Sequence, residues 1–359
     1  MVENKDFSFF DEIKNIITAA DYSIVNFECP VVIGDIKPIS KCGPALRTEQ
    51  SAVDSLKYAG FNCVTLANNH FRDFGDRGCR STIEELDKQQ LDRVGGGMNI
   101  KEAQQILYKN ICGQKIAIIN FCENEFSIAS ENRAGAAPID TVDNYKQILE
   151  ARKNADYVLV IIHGGHEHYQ LPSPRMKKLY RYYIDLGADA VVNHHQHCYS
   201  GYEYYNGKPI VYGLGNFCFD EGIQDNFWNY GYMVNIRFYE REISIELIPY
   251  KQCNGDTRIA LLSDDERQIF DKKIVDLNNL IADNNLLNES FEKMCGGRDR
   301  WINSIFNSYH NRYLNAAANR NFIKRPASKR EMLTIYNYII CESHRDIVLN
   351  ILNNDYCHE

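Results

Sequence analysis

The run Tyr157-Val158-Leu159-Val160-Ile161-Ile162 is the strongest constraint on how this chain can fold. A half-exposed strand alternates apolar and polar side chains, whereas a run apolar at every position suits a strand covered on both faces, as in a parallel sheet between layers. The run stops at His163-Gly164-Gly165-His166-Glu167-His168. A covered strand therefore delivers imidazoles and a carboxylate to the point where it leaves its sheet.

The same grammar recurs along the first two thirds of the chain. Phe10, Ile13, Ile16 and Ile17 lie at helical spacing within Phe7 to Ala20, and Asp21 to Glu28 reads as a strand ending in a carboxylate. Ser51 to Asp54 resembles a capping box that opens a helix closing at Ala59-Gly60. The strand that follows ends in Asn68-Asn69-His70, with Asp73 three residues on. Further alternation runs through a strand at Lys115 to Cys122, a helix near Tyr145 to Lys153, and a helix with Met176, Leu179, Tyr180, Tyr183 and Ile184 on one face. That last helix leads through Gly187 to Val191-Val192-Asn193-His194-His195-Gln196-His197.

From Tyr199 the period becomes alternating. Asn206-Gly207 between Tyr202-Tyr205 and Pro209-Tyr212 predicts a type I′ hairpin, and strands are expected at Gly231 to Phe238 and Ile243 to Pro249. Beyond Lys251 polar helical patterns occupy Glu266 to Leu280, Trp301 to Tyr313 and Lys329 to Leu352. The expected organisation is an α/β domain over residues 1–250 and a helical C-terminal extension over 251–359, the latter without a cluster of ligand residues.

Seven of the ten histidines fall between His70 and His197. In layered α/β folds, ligand and catalytic groups gather outside strand ends, so Glu28, Asn69, His70, Asp73, His163, Glu167 and the three late histidines are expected around one crevice. In extended backbone, residues two apart share a side, which predicts that His195 and His197 converge while His194 faces away. Imidazole, amide and carboxylate donors suit Zn, Mn or Fe better than Ca or Mg, and such centres make water nucleophilic and hold charge in a displacement. Each element also has a plain structural reading. Asn68-Asn69-His70 reads as a turn with a helix cap, His163 as a hydrogen-bonded core histidine, His166 and His168 as solvated rings, and Glu28 as the partner of an arginine. The shared position at strand ends favours the common site.

A net charge of -8 opposes a sequence-independent nucleic-acid binder, which needs a basic face. Twelve cysteines stand singly with no CxxC spacing, which reads as reduced thiols. No apolar run reaches membrane-spanning length, so the chain as written reads as cytoplasmic, with membrane association expected if a longer N-terminus exists.

Taken together, Asn26-Phe27-Glu28-Cys29-Pro30, Leu66-Ala67-Asn68-Asn69-His70 with Asp73 and Gly75, His163-Gly164-Gly165 with Glu167, Asn193-His194-His195-Gln196-His197 and Tyr212-Gly213-Leu214-Gly215-Asn216-Phe217 resemble the CapA family of bacterial capsule and poly-γ-glutamate synthesis proteins. That family lies within the calcineurin-like metallophosphoesterase superfamily. The resemblance spans Phe7 to about Asp220. It implies a metallophosphoesterase-like two-sheet sandwich flanked by helices, with a divalent two-metal site at the strand ends. It further implies that Glu28, Asn69, His163, His195 and His197 are metal ligands, that His70 with Asp73 supplies the acid or stabilises the oxyanion, and that Glu167, His194 and Asn216 contact substrate. Asn193 and Gln196 depart from the family's usual Gly and Pro. Family members also begin with a strand ending in Gly-Asp, and here Phe7 to Phe10 is already the segment after it. The expectation is a start upstream of Met1, or a site lacking one acidic ligand with impaired metal binding and stability.

The function implied is a metal-dependent hydrolase of a phosphoester or related bond in surface-polymer metabolism, acting on a polymer precursor or phosphoester. The alternative is a non-catalytic accessory protein that binds substrate or a polymer synthase through a remnant site. A third reading, hydrolysis of γ-glutamyl polymer, predicts release of glutamate rather than phosphate.

Overall fold

The computed structural model describes residues 6–219, 227–240, 242–253 and 257–296, and, towards the C-terminus, 306–309, 311–320, 322–340, 344, 347, 348 and 352. It divides into two compact units. One comprises Met1–Ile39 with Gly43–Leu287, and the other Ser40–Cys42 with Asn288–Glu359.

In chain order the elements of the first unit are α1 (Asp11–Ala19), β1 (Ile24–Asn26), α2 (Gln50–Ala59), β2 (Cys63–Thr65), α3 (Gly75–Lys88), β3 (Asp92–Val94), β4 (Gly96–Gly97), α4 (Ile100–Ala103), β5 (Leu107–Ile111), β6 (Gln114–Cys122), β7 (Gly135–Ala136), α5 (Thr141–Asn154), β8 (Tyr157–His163), α6 (Pro174–Leu186), β9 (Ala190–His194), β10 (Tyr202–Tyr205), β11 (Lys208–Val211), β12 (Tyr230–Tyr239), β13 (Glu242–Gln252), β14 (Ile259–Leu261) and α7 (Asp264–Ala282). A parallel three-stranded sheet runs β1-β2-β3. A six-stranded sheet runs β10-β11-β9-β8-β6-β5, parallel at its centre and antiparallel at both edges. The antiparallel sheet β12-β13-β14 links them: Tyr232 joins the core of the larger sheet, and Tyr250 and Ile259 join the core of the smaller. This is the helix-flanked, two-sheet α/β arrangement that the sequence motifs imply.

Every residue of β8 is buried, as its apolar run requires. Phe121 of β6 meets Tyr183 of α6 at 5.9 Å between ring centroids, and Tyr157 of β8 meets Phe238 of β12 at 4.7 Å, so helices cover one part of the sheet and the β12–β13 hairpin another. Phe9, Phe10, Ile13 and Ile17 bury the face of the first helical segment against Val53, Leu56 and Val64. α7 is no loose tail, because Phe270, Ile274, Leu277 and Ile281 are buried in the core of the six-stranded sheet. The compact unit thus runs past residue 250 to Leu287.

The Asn206-Gly207 hairpin forms as expected, with φ of 52° and 74° and antiparallel pairing of β10 with β11. The capping box at Ser51 does not form. The helix starts at Gln50 with Glu49 as its N-cap, so Ser51 is already helical, and Asp54 accepts instead from Gln89 Nε2 at 2.7 Å. The expected strands at Gly231 to Phe238 and Ile243 to Pro249 are β12 and β13. α8 (Asn284–Gly296) spans the division between the units, and the second unit contains α9 (Arg312–Asn319) and α10 (Lys329–Ile340). Of the expected helical pattern from Trp301 to Tyr313, residues 301–305 and 310 lie outside the described residues. No helix among the described residues is long and apolar enough to cross a membrane, and ten described cysteines stand outside any disulfide.

The two parallel sheets are stitched together by Asn120 of β6. Its Oδ1 accepts from Ala67 N at 2.7 Å beyond β2, and its Nδ2 donates to Ile161 O at 3.2 Å in β8. Gly95 makes room for this link, since its φ is +87° and an added Cβ would stand 2.0 Å from Asn120 Oδ1 and 2.8 Å from Ala67 Cβ. Gly95→Ala is expected to destabilise the protein by about 1–3 kcal/mol through overpacking at a left-handed position. Urea unfolding measures this, and an unchanged midpoint is the contrary result.

Candidate metal centre

Parallel register brings the strand ends together. His163 closes β8 directly beside His194, which closes β9. Regular extended backbone stops there: His195 has φ +120° and His197 has φ +56°, so two-residue alternation no longer fixes where these rings point. His194, expected to face away from the site on which His195 and His197 converge, meets the Nδ1 edge of His163, opposite the edge that meets His195 and Asn69. Its Nδ1 lies 2.9 Å from His163 Nδ1, because adjacent parallel strands place both rings at one level. On the other edge of the His163 ring, Nε2 lies 2.9 Å from His195 Nδ1 and 3.0 Å from Asn69 Oδ1.

Glu28, two residues beyond β1, completes this group. Its Oε1 is 3.7 Å from His163 Nε2 and 4.0 Å from His197 Nε2. Donor atoms of Glu28, His163 and His195 all lie within 4.8 Å of one another. Glu28 Oε2 accepts from Asn26 Nδ2 at 3.1 Å, whereas Oε1 is buried with no hydrogen-bond partner among the described residues. An arginine partner is not what holds Glu28. Burial raises its carboxyl pKa against the pull of His197 and His70. Burial also depresses the imidazoles: His163 falls well below its usual value, His194 to about 3 and His195 to about 4, with neighbouring histidines adding to the effect.

These residues fit a divalent transition metal. The three depressed rings are neutral at pH 7, a neutral imidazole nitrogen is a metal donor, and a buried carboxylate oxygen without a partner is costly unless a cation meets it. Glu28, Asn69, His163 and His195 stand closest together, and His197 Nε2 lies 4.0 Å from Glu28 Oε1.

The flanking groups act on this core. His70 Nδ1 lies 2.6 Å from Asp73 Oδ2, which also accepts from Leu46 N at 2.7 Å, so the fully buried Asp73 stands behind His70. His70 is near enough to influence Glu28, His163 and His195 electrostatically. Asn216 receives His197 Nδ1–H at Oδ1 (2.8 Å) and donates from Nδ2 to Trp228 O (3.1 Å). The His197 ring stacks on Trp228 at 5.2 Å, with Phe219 edge-on at 5.2 Å. Glu167 is exposed on the loop after β8, where its charge reaches Glu28 and His195. His168, on the same loop, lies over Trp228 at 5.7 Å.

Three supports escaped the sequence reading. Ser127 Oγ donates to Asn69 O at 2.6 Å and accepts from Arg72 N at 3.2 Å, clamping the Asn69–His70 turn. A single serine in a polar loop gives no signal of this. Glu123 accepts from Gly165 N at 3.2 Å and pairs with Arg175, anchoring the loop after His163. The unusual Asn193 and Gln196 act as one unit: Asn193 Nδ2 reaches Gln196 Oε1 at 3.1 Å, Gly164 O at 2.9 Å and Tyr212 O at 2.9 Å, and its Oδ1 accepts from Tyr180.

Residues 3–221 match the family described as bacterial capsule synthesis protein PGA_cap. The chain is 35% identical over 221 residues to the capsule biosynthesis protein CapA of Bacillus anthracis, covering 59% of this chain and 54% of that protein. It is 37% identical over 218 residues to the PGA biosynthesis protein CapA of Bacillus subtilis, covering 60% and 57%. A probable polyglutamine synthesis accessory protein of Mycobacterium tuberculosis is 28% identical over 57% of this chain and 58% of its own length. The chain spans about half the length of the curated relatives it matches. Among solved structures, a hypothetical protein from Thermus thermophilus superposes with a TM-score of 0.45 at 16% identity, covering 68% of this chain and 93% of that one.

Proposed function

The chain belongs to the bacterial capsule synthesis protein PGA_cap family, and on that premise we propose that it serves surface-polymer synthesis through a divalent metal centre built on Glu28, Asn69, His163, His195 and His197. The observation that carries this reading is the buried Oε1 of Glu28, without a hydrogen-bond partner among the described residues, beside the nitrogens of His163 and His195. The relatives' printed names, capsule and PGA biosynthesis, supply the biological setting.

In the hydrolase form of the proposal, Glu28, Asn69, His163, His195 and His197 would hold Mn, Zn or Fe, which would make water nucleophilic and offset charge on a phosphoester or a γ-glutamyl bond. The protein's part is to place donors and to move a proton. Asp73 holds His70 in one orientation through Nδ1, which directs the opposite ring edge to a leaving or developing oxygen. Asn216 holds Nδ1 of His197 and so aims Nε2 at Glu28. A second reading, a non-catalytic accessory that binds polymer or a synthase, is favoured by the name accessory protein carried by the mycobacterial relative.

Product analysis separates these readings. Protein incubated with Mn or Zn is offered a phosphoester panel and poly-γ-glutamate, and released phosphate and glutamate are assayed. Turnover is expected to fall about 10²–10⁴-fold in His70→Ala with metal content kept, as for loss of an acid–base group. The absence of both products from a metal-loaded wild type would contradict the hydrolase form and leave the accessory reading.

A further inference from the structure

We infer that His194 is a positioning residue, which fixes the protonation pattern of His163 so that the His163 Nε2 lone pair faces the metal centre; this rests on the metal-centre reading above. His194 is buried at 9% exposure, and its one near contact at Nδ1 is His163 Nδ1 at 2.9 Å. Its Nε2 is buried and its Nδ1 is turned to His163.

The contact is built into the sheet. His163 and His194 are register partners, and Gly164 N donates to His194 O at 2.9 Å while Glu123 N donates to His163 O at 3.0 Å, so the backbones on both sides are fixed. The rings meet nearly edge to face, with centroids 4.9 Å apart and planes at 70°. A single proton lies between the two Nδ1 atoms, and its owner decides what His163 can do.

Two arrangements are available to neutral rings. If His194 donates, His163 carries its own proton on Nε2, the nitrogen facing Asn69, His195 and Glu28, and it cannot donate a lone pair to a cation there. If His163 donates, its Nε2 lone pair faces the centre, and the His194 proton sits on Nε2. That second nitrogen of His194 is buried with no hydrogen-bond partner among the described residues, whichever arrangement holds. A ring buried with one nitrogen unserved is held for its other nitrogen. Metal-binding histidines usually give their outer N–H to a carboxylate, a backbone carbonyl or water. In the inferred arrangement the neutral His194 imidazole occupies that place, its Nδ1 accepting from His163 Nδ1–H.

The test uses the full chain with Zn²⁺ as the probe. Two-bond ¹H–¹⁵N correlation spectra of the histidines report which nitrogen of each ring is protonated, and competition with a chelating dye gives Zn²⁺ affinity. In the zinc-loaded wild type, His163 is expected to be protonated at Nδ1 and His194 at Nε2. Affinity should fall about 10–100-fold in His194→Leu, as for loss of an outer partner of a metal ligand. His194→Asn keeps an acceptor oxygen near the same point and is expected to retain affinity within roughly threefold. An unprotonated His163 Nδ1 in the zinc-loaded wild type overturns the inference, and this spectrum decides even if His194→Leu does not fold. Folded His194→Leu that binds as tightly as wild type overturns it too. A wild type that binds no Zn²⁺ is a different failure: it removes the metal-centre reading, and the inference with it.

Discussion

Acidifying the metal-free protein from pH 7 to pH 4.5 is expected to remove several kcal/mol of folding stability. In the unfolded chain a histidine titrates near pH 6.5, whereas in the fold burial holds His194 at about 3, His195 at about 4 and His163 well below its usual value. Between those limits the unfolded state takes up protons that the native state refuses, so stability falls as pH falls. The full stability is present above about pH 6.5 and drains away towards pH 4, at up to about 1.4 kcal/mol per pH unit for each ring and roughly 4 for all three. Glu28 works the other way. Its raised folded pKa means that lowering the pH relieves a buried charge, which offsets part of the loss. Urea unfolding at pH 7, 6 and 5 reads the slope, and a flat profile contradicts the burial of these rings.

Asp189→Ala is expected to cost about 2–4 kcal/mol, at the opposite end of the strands that carry the site. Asp189 Oδ2 accepts from Arg152 at 2.6 Å and from Val158 N at 2.8 Å, and its Oδ1 accepts from Lys208 Nζ at 2.6 Å. The carboxylate therefore joins α5, the start of β8, the start of β9 and the start of β11. Alanine leaves one backbone N–H and two cations without it. Both cations are about one third exposed, with side-chain exposures of 35% and 29%, so water takes up part of the loss and the cost falls short of that for a fully buried pair. Asp189→Asn keeps an acceptor and is expected to cost about half as much. Thermal and urea unfolding check both variants, and an Asp189→Ala protein as stable as wild type would mean the cluster contributes nothing net.

The legible parts of this structure are those in which local pattern and tertiary context agree. The uninterrupted apolar run of β8 and the His-bearing end of β9 gave a covered run of parallel strands with histidines at its ends, because a strand's burial is written in its own side chains. The Asn206-Gly207 hairpin was legible for a similar reason: few dipeptides accept two left-handed residues. The contact of His194 with His163 was not legible, since it depends on register between two separate strands. Nor was Ser127, whose clamp on the Asn69 turn needs a loop from elsewhere in the chain. Asn216 lay in a recognisable motif, yet only the geometry shows its amide turned towards His197 and Trp228. The helical pattern of α7 was visible, but that its apolar face is buried in the main core rather than in a separate extension is a tertiary fact.

Glu28, Asn69, His163, His195 and His197 are proposed to hold a divalent metal. Elemental analysis measures it most directly, on the protein as purified and again after incubation with Mn or Zn and desalting. The expected result is near-stoichiometric metal in the wild type and its loss in a folded His195→Ala, His197→Ala double variant. A wild type that retains no metal after loading, or a double variant that retains as much as wild type, would contradict it.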